Sequence, residues 1–80
     1  MLQSDINTLE RHEHYHQLLQ RSGELVNFNT DAQNELLNVY RSNVDANYHY
    51  NRGCGECVKE FLNKVYLWYK TFSTQGQQGI

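Results

Sequence analysis

The chain has 80 residues, which leaves room for one small domain. Its 7 basic and 9 acidic residues give a formal net charge of −2, and the lack of a basic excess disfavours binding to duplex DNA or RNA. Apolar residues make up 39% of the chain, so we expect a thin buried core. No apolar run reaches the length of a membrane span, and the polar N-terminal residues show no signal peptide.

Apolar residues recur every three or four positions in the first half of the chain, which predicts helices. The first predicted helix covers about residues 4–22 and ends at Gly23, since glycine is the usual residue after a helix. The second covers about residues 30–46 and is capped by Asn29 or Thr30. Short glycine- and asparagine-marked turns fit the absence of proline from the chain.

The third predicted helix covers about residues 54–72 and is the strongest helical signal in the chain. Its apolar stripe occupies about half of the helix circumference. Residues 73–80 carry no charge and a single apolar side chain, so they cannot form a core by themselves. The sequence therefore predicts an all-α fold, a small three-helix bundle in residues 1–72 with an extended polar C-terminal tail over 73–80.

A Cys-x-x-Cys motif, Cys54 and Cys57, lies at the predicted start of the third helix. This motif serves elsewhere as a redox pair or as half of a zinc site. His12 and His16 are four residues apart and share a helical face, so they could complete a structural zinc site with the two cysteines, with His49 as a substitute ligand. The simpler interpretation needs no cofactor: the cysteines pack as small apolar side chains, and the histidines are hydrogen-bonded at the edge of the bundle.

Two enzymatic interpretations are disfavoured by what the chain lacks. A thioredoxin-type redox site needs strand–helix–strand units and a cis-proline, and the sequence has no strand pattern and no proline. His12, Glu13 and His16 match the His-Glu-x-x-His pattern of metalloproteases. However, 80 residues leave no room for a third ligand and a substrate cleft. We therefore predict that the protein is not an enzyme.

The aromatic end of the third helix is predicted to be an interface. The stripe is wider than two short, polar neighbouring helices can cover, and exposed apolar surface marks interaction sites. We assign the interface to Tyr66, Trp68, Tyr69 and Phe72, because tyrosine and tryptophan are enriched in interfaces. The expected partners are proteins, either copies of this chain in a homo-oligomer or a larger assembly. Nucleic acid is disfavoured, because aromatic residues at helical spacing are more typical of a core or an interface than of a base-stacking surface.

The run from Tyr48 to Val58, followed by Phe61-Leu62 and by Val65 to Tyr69, carries a resemblance that covers about residues 36–70. It resembles short proteins of phages that infect gut Bacteroidetes, including crAss-like phages. In these proteins, tyrosine-rich residues precede Cys-x-x-Cys-Val and an aromatic-ended helix. The resemblance implies a small phage protein, a virion component of the head–tail region, located in the virion or the host cytoplasm. It carries over no catalytic residue.

The sequence as a whole predicts a small structural protein that acts through contacts of a helix face and of the C-terminal tail. A zinc-stabilised adaptor, which uses the cysteines and histidines, is the first alternative. A thiol redox protein, which uses the cysteines alone, is the second.

Overall fold

The computed structural model describes residues 2–25 and 27–78, and the side chains of residues 2–25 and 27–72. Four helices follow one another along the chain: α1 (Gln3–Arg11), α2 (Glu13–Ser22), α3 (Thr30–Asn43) and α4 (Gly55–Gln78). In this part of the chain no residue belongs to a strand. Because α1 and α2 together form one arm, here called the first arm, the predicted all-α class and the three-helix bundle are confirmed.

The helix boundaries agree only partly with the predictions. Gly23 ends α2 with a positive φ of 77°, which glycine tolerates. Asn29 caps α3 by accepting a hydrogen bond from the Ala32 N–H at 2.8 Å. α3 ends at Asn43, earlier than expected, whereas α4 continues past the expected end to Gln78. The predicted polar tail, residues 73–80, lies outside the residues whose side chains are described.

The first arm is broken at His12, where one continuous helix was expected. His12 has φ −104° and ψ 6°, values that belong to neither helix. Its side chain is buried, with Nε2 lying 2.6 Å from Oε1 of Glu35 on α3. The break lets α1 pack against α3 and α2 pack against α4. Hydrophobic spacing continues through this point, so the sequence pattern alone does not reveal it.

Residues 44–54, here called the crossover segment, determine the direction of α4. The segment runs back along α3, because the Arg41 Nε donates to the Tyr48 carbonyl at 2.7 Å and the Tyr50 hydroxyl donates to Gln33 Oε1 at 2.7 Å. α4 therefore begins beside the start of α3 and runs parallel to it. The first arm is antiparallel to both α3 and α4. Its C-terminal end lies beside the start of α4, where Glu24 pairs with Lys59, and its N-terminal part, α1, packs farther along the bundle.

The core lies between the first arm, α3 and α4, and the crossover segment covers it with aromatic rings. The Tyr50 ring stacks on Phe61 with 4.3 Å between centroids, and the Tyr48 ring lies 5.9 Å from the same side chain. The buried hydrophobic cluster consists of Leu9, Leu19, Leu36, Leu37, Val39, Phe61, Leu62, Val65 and Tyr66. Of the helices described here, none is long and apolar enough to cross a membrane.

Candidate functional site

Tyr66 belongs to the core, not to an interface as predicted. Its side chain is 0% exposed, and its hydroxyl donates a hydrogen bond to the Leu9 carbonyl at 2.6 Å. The ring stacks on His16 with 5.1 Å between centroids. Burial raises the pKa of the Tyr66 hydroxyl far above its ordinary value. The broad apolar stripe in the sequence does not show which of its side chains face the core. The structure shows that the first arm covers Tyr66.

The other three predicted interface residues are less buried than Tyr66. Trp68 and Tyr69 are half-buried and pack against the hydrophobic cluster. The Trp68 ring meets Tyr40 of α3 edge-on, with 6.2 Å between centroids. Phe72 lies 6.2 Å from Trp68 and is 41% exposed. The described contacts thus cover Trp68 on its α3 side and leave much of Phe72 in solvent.

Exposed apolar side chains lie just before α1, just after α3 and in the second half of α4. Leu2 is 70% exposed, Val44 is 45% exposed and Phe72 is 41% exposed. The Asn43 side-chain amide donates to Asp5 Oδ2 at 3.1 Å, which holds the start of α1 beside the end of α3. We call this region, formed by Leu2, Val44, Trp68 and Phe72, the open end. The sequence pattern placed Leu2 and Val44 on faces of the first two predicted helices and not in an interface, because helical spacing does not show which end of a helix remains exposed.

The two cysteines of the motif are joined to each other. Cys54 and Cys57 form a disulfide, with their Cα atoms 5.2 Å apart. Cys54 directly precedes α4, and its Sγ accepts a hydrogen bond from the Cys57 N–H at 3.2 Å. Both residues are half-buried. Since zinc binds thiolates, a closed disulfide offers it neither sulfur as a ligand.

The structure does not bring the predicted zinc ligands together. His12 contacts Glu35, and the exposed His49 has its Nδ1 3.1 Å from the Asn47 carbonyl oxygen. His16 has its Nε2 3.1 Å from Asn63 Oδ1, and Asn63 is six residues beyond Cys57, about 9 Å along a helix. Within the described residues, no three His, Cys, Asp or Glu side chains meet in a way that could hold a metal. His12 and His16 instead have hydrogen-bond partners, as the simpler interpretation expected. That interpretation was wrong about the cysteines, which are joined to each other and are not free thiols.

The two buried histidines of the first arm have different electrostatic surroundings. The hydrogen bond from His12 lowers the pKa of Glu35, and the Arg11 charge, 3.3 Å away, adds to this effect. Burial lowers the pKa of His16, and the charge of Lys70 lowers it further. Both effects favour the neutral form of His16, whose ring stacks on Tyr66.

We expect the protein to lose stability as the pH falls below the ordinary histidine pKa of 6.5. His16 has a lower pKa in the folded chain than in the unfolded chain, so below that pH the unfolded state binds more protons and is favoured. Thermal unfolding between about pH 7.5 and pH 5.5 measures the loss. In His16→Gln, which keeps an amide able to reach Asn63, the loss should be smaller. An equal loss in both proteins would contradict the role of His16.

Compared with known proteins, the chain matches no protein-family model, no curated protein and no solved structure. The candidate functional sites therefore rest on the geometry of the chain itself. They are the open end, with its exposed apolar side chains, and the cysteine pair at the start of α4.

Proposed function

We propose that the protein is a small, non-enzymatic structural protein that binds other proteins through the open end. The observation that carries the proposal is the position of three large apolar side chains, Leu2, Val44 and Phe72, which are each more than 40% exposed at this end. Burying apolar surface yields roughly 25 cal/mol per Å². A partner that covers the open end would therefore bind with a favourable hydrophobic contribution.

Trp68 gives the open end the chemistry of an interface. It is half-buried between Tyr40 and Phe72, so one edge of a large ring is already held in place by the fold. Tryptophan and tyrosine residues that are fixed in this way contribute much of the binding energy in protein interfaces. The ordering cost of binding is lower, because these side chains lose little further freedom.

The partner in this proposal is a second copy of the chain or a larger assembly to which the chain contributes copies. The resemblance carried by Tyr48 to Val58 and by the aromatic half of α4 supports a place in a phage virion, in its head–tail region. In that case the protein occurs in the virion or in the host cytoplasm during assembly. The proposal assigns no catalytic residue.

We expect the wild-type protein to associate with itself as its concentration rises, and Phe72→Asp to associate less. A charge at Phe72 would have to be desolvated in the contact. Leu67→Asp places the same charge at a position that is 66% exposed and lies beside Gln20 of α2. Light scattering gives the mass of the particles. Trp68 is the only tryptophan in the chain, so its emission should shift to shorter wavelengths when the open end is covered.

Binding of an apolar fluorescent dye separates the two versions of the proposal. If the chain stays monomeric but the dye binds the wild type and Leu67→Asp more strongly than Phe72→Asp, the open end is available to a different protein. A monomer with constant Trp68 emission contradicts self-association. If, in addition, the dye binds all three proteins equally weakly, the open end is not an interaction surface and the proposed function is wrong.

A further inference from the structure

The start of α4 holds a sulfur atom in the position of a helix cap. The Cys54 carbonyl accepts the Val58 N–H at 3.1 Å, and the Cys54 Sγ accepts the Cys57 N–H at 3.2 Å. The Cys54 N–H is itself bound by the Asn51 carbonyl at 3.1 Å. This pattern is the one that serine or aspartate makes at a helix N-terminus. The chain before α4 is thus fastened so that the Cys54 sulfur faces the first turn.

In the reduced protein, this arrangement stabilises negative charge on the Cys54 sulfur. The N–H groups of the first turn have no partner within the helix, and the helix dipole places partial positive charge there. A thiolate accepts a hydrogen bond more strongly than a thiol does. Among the described side chains at the start of α4, Lys59 lies 3.6 Å from both Glu24 and Glu56, which leaves a net charge of −1, so the stabilisation comes from the N–H groups and the dipole and not from side-chain charge. Cys54 therefore has the surroundings of a reactive thiol once the disulfide is opened.

The disulfide contributes little as a structural crosslink. Its two cysteines are separated by only three positions, and the stabilisation that a disulfide gives by constraining the unfolded chain falls as the closed loop shortens. Each of the two residues is half-buried, so a small reagent has access from solvent. A short loop, a capped sulfur and partial exposure together are typical of disulfides that exchange.

We infer that Cys54 and Cys57 form a redox-active pair that exchanges with low-molecular-weight disulfides, independently of the proposed binding through the open end. In the reduced protein, the Cys54 thiolate attacks one sulfur of the substrate disulfide and forms a mixed disulfide, and the first substrate thiolate leaves and takes up a proton. Cys57 loses its proton and attacks the Cys54 sulfur, which releases the second substrate thiol. The substrate gains two electrons and two protons, and the chain ends with the Cys54–Cys57 bond present in the structure.

The test uses the reduced full chain with oxidised glutathione, followed by mass spectrometry of acid-quenched samples. The wild type should release two glutathione thiols per chain and retain none. Cys57→Ser should release one and retain one on Cys54, since it lacks the second thiol but keeps the N–H that binds the sulfur. Cys54→Ser is the matched control, and its Cys57 should react at least about threefold more slowly.

Two results would overturn the inference. One is a wild-type chain that keeps glutathione attached, or that fails to re-form its internal disulfide. The other is an equal reaction rate of Cys54→Ser and Cys57→Ser, which would mean that the first turn of α4 does not activate Cys54. Circular dichroism shows whether each variant is folded. If a variant is unfolded, the number of glutathione thiols that the wild type releases and retains tests the inference by itself.

Discussion

Phe61→Ala is expected to lower the free energy of unfolding by about 3–5 kcal/mol, the usual cost of removing a buried aromatic ring. Phe61 is fully buried and packs against the rings of both Tyr50 and Tyr48 of the crossover segment. Its loss removes contacts from α4 and from the crossover segment at once. A small domain has only a few kcal/mol of net stability, so urea or thermal unfolding should find this variant largely unfolded.

Phe72→Ala is the matched control, because it makes the same chemical change on the same helix. Phe72 is 41% exposed, and its ring centroid lies 6.2 Å from that of Trp68, so its removal should cost less than about 1 kcal/mol. The two values together distinguish the part of the aromatic stripe that belongs to the core from the part that belongs to the open end. Similar losses for both variants would show that Phe72 is packed within its own chain, which would weaken the proposed function.

Tyr50→Ala is expected to cost about 2–4 kcal/mol. The ring contributes apolar burial and a stack on Phe61. Its hydroxyl contributes the 2.7 Å hydrogen bond to Gln33, worth about 1 kcal/mol. Because Tyr50 attaches the crossover segment to α3, its removal should also loosen the start of α4. Denaturant unfolding measures the loss, and amide hydrogen exchange at the start of α4 should become faster.

Two neighbouring changes divide this effect into its parts. Tyr50→Phe keeps the ring and loses only the hydrogen bond, so about 1 kcal/mol should be lost. His49→Ala changes the exposed residue beside it and should stay within about 0.5 kcal/mol of the wild type. If Tyr50→Ala were as stable as His49→Ala, the crossover segment would not hold α3 and α4 in their parallel arrangement.

The chemical state of the two cysteines could not be predicted from the neighbouring residues alone. Positions three apart at a helix start bring Cys54 and Cys57 close together, which suits a metal, two free thiols or a disulfide equally. The separation of 5.2 Å between Cα atoms is compatible with a bond. Convergence of His12 and His16 on the same point would have favoured zinc. Their contacts with Glu35 and Asn63 instead hold them elsewhere.

The interface prediction was limited by the width of the apolar stripe. A stripe that covers half of α4 tells which side chains leave solvent, but not whether the neighbour that covers them is in the same chain. Tyr66 proved to be covered by the first arm, whereas Phe72 remains 41% exposed. Leu2 and Val44 continue the helical spacing of the first and second predicted helices, so the pattern assigned them to helix faces, and only the packing of α1 on α3 places them at the open end.

The sequence by itself determined the helical class, the helix end at Gly23 and, to within one residue, the helix start at Asn29. These features depend on neighbouring residues: hydrophobic spacing, a left-handed glycine and an amide that caps the next turn. Only the tertiary structure decided the break at His12, the parallel course of α4 and the burial of Tyr66. Each of these depends on a partner distant in sequence, and periodicity within one segment contains no information about which distant segment will pack against it.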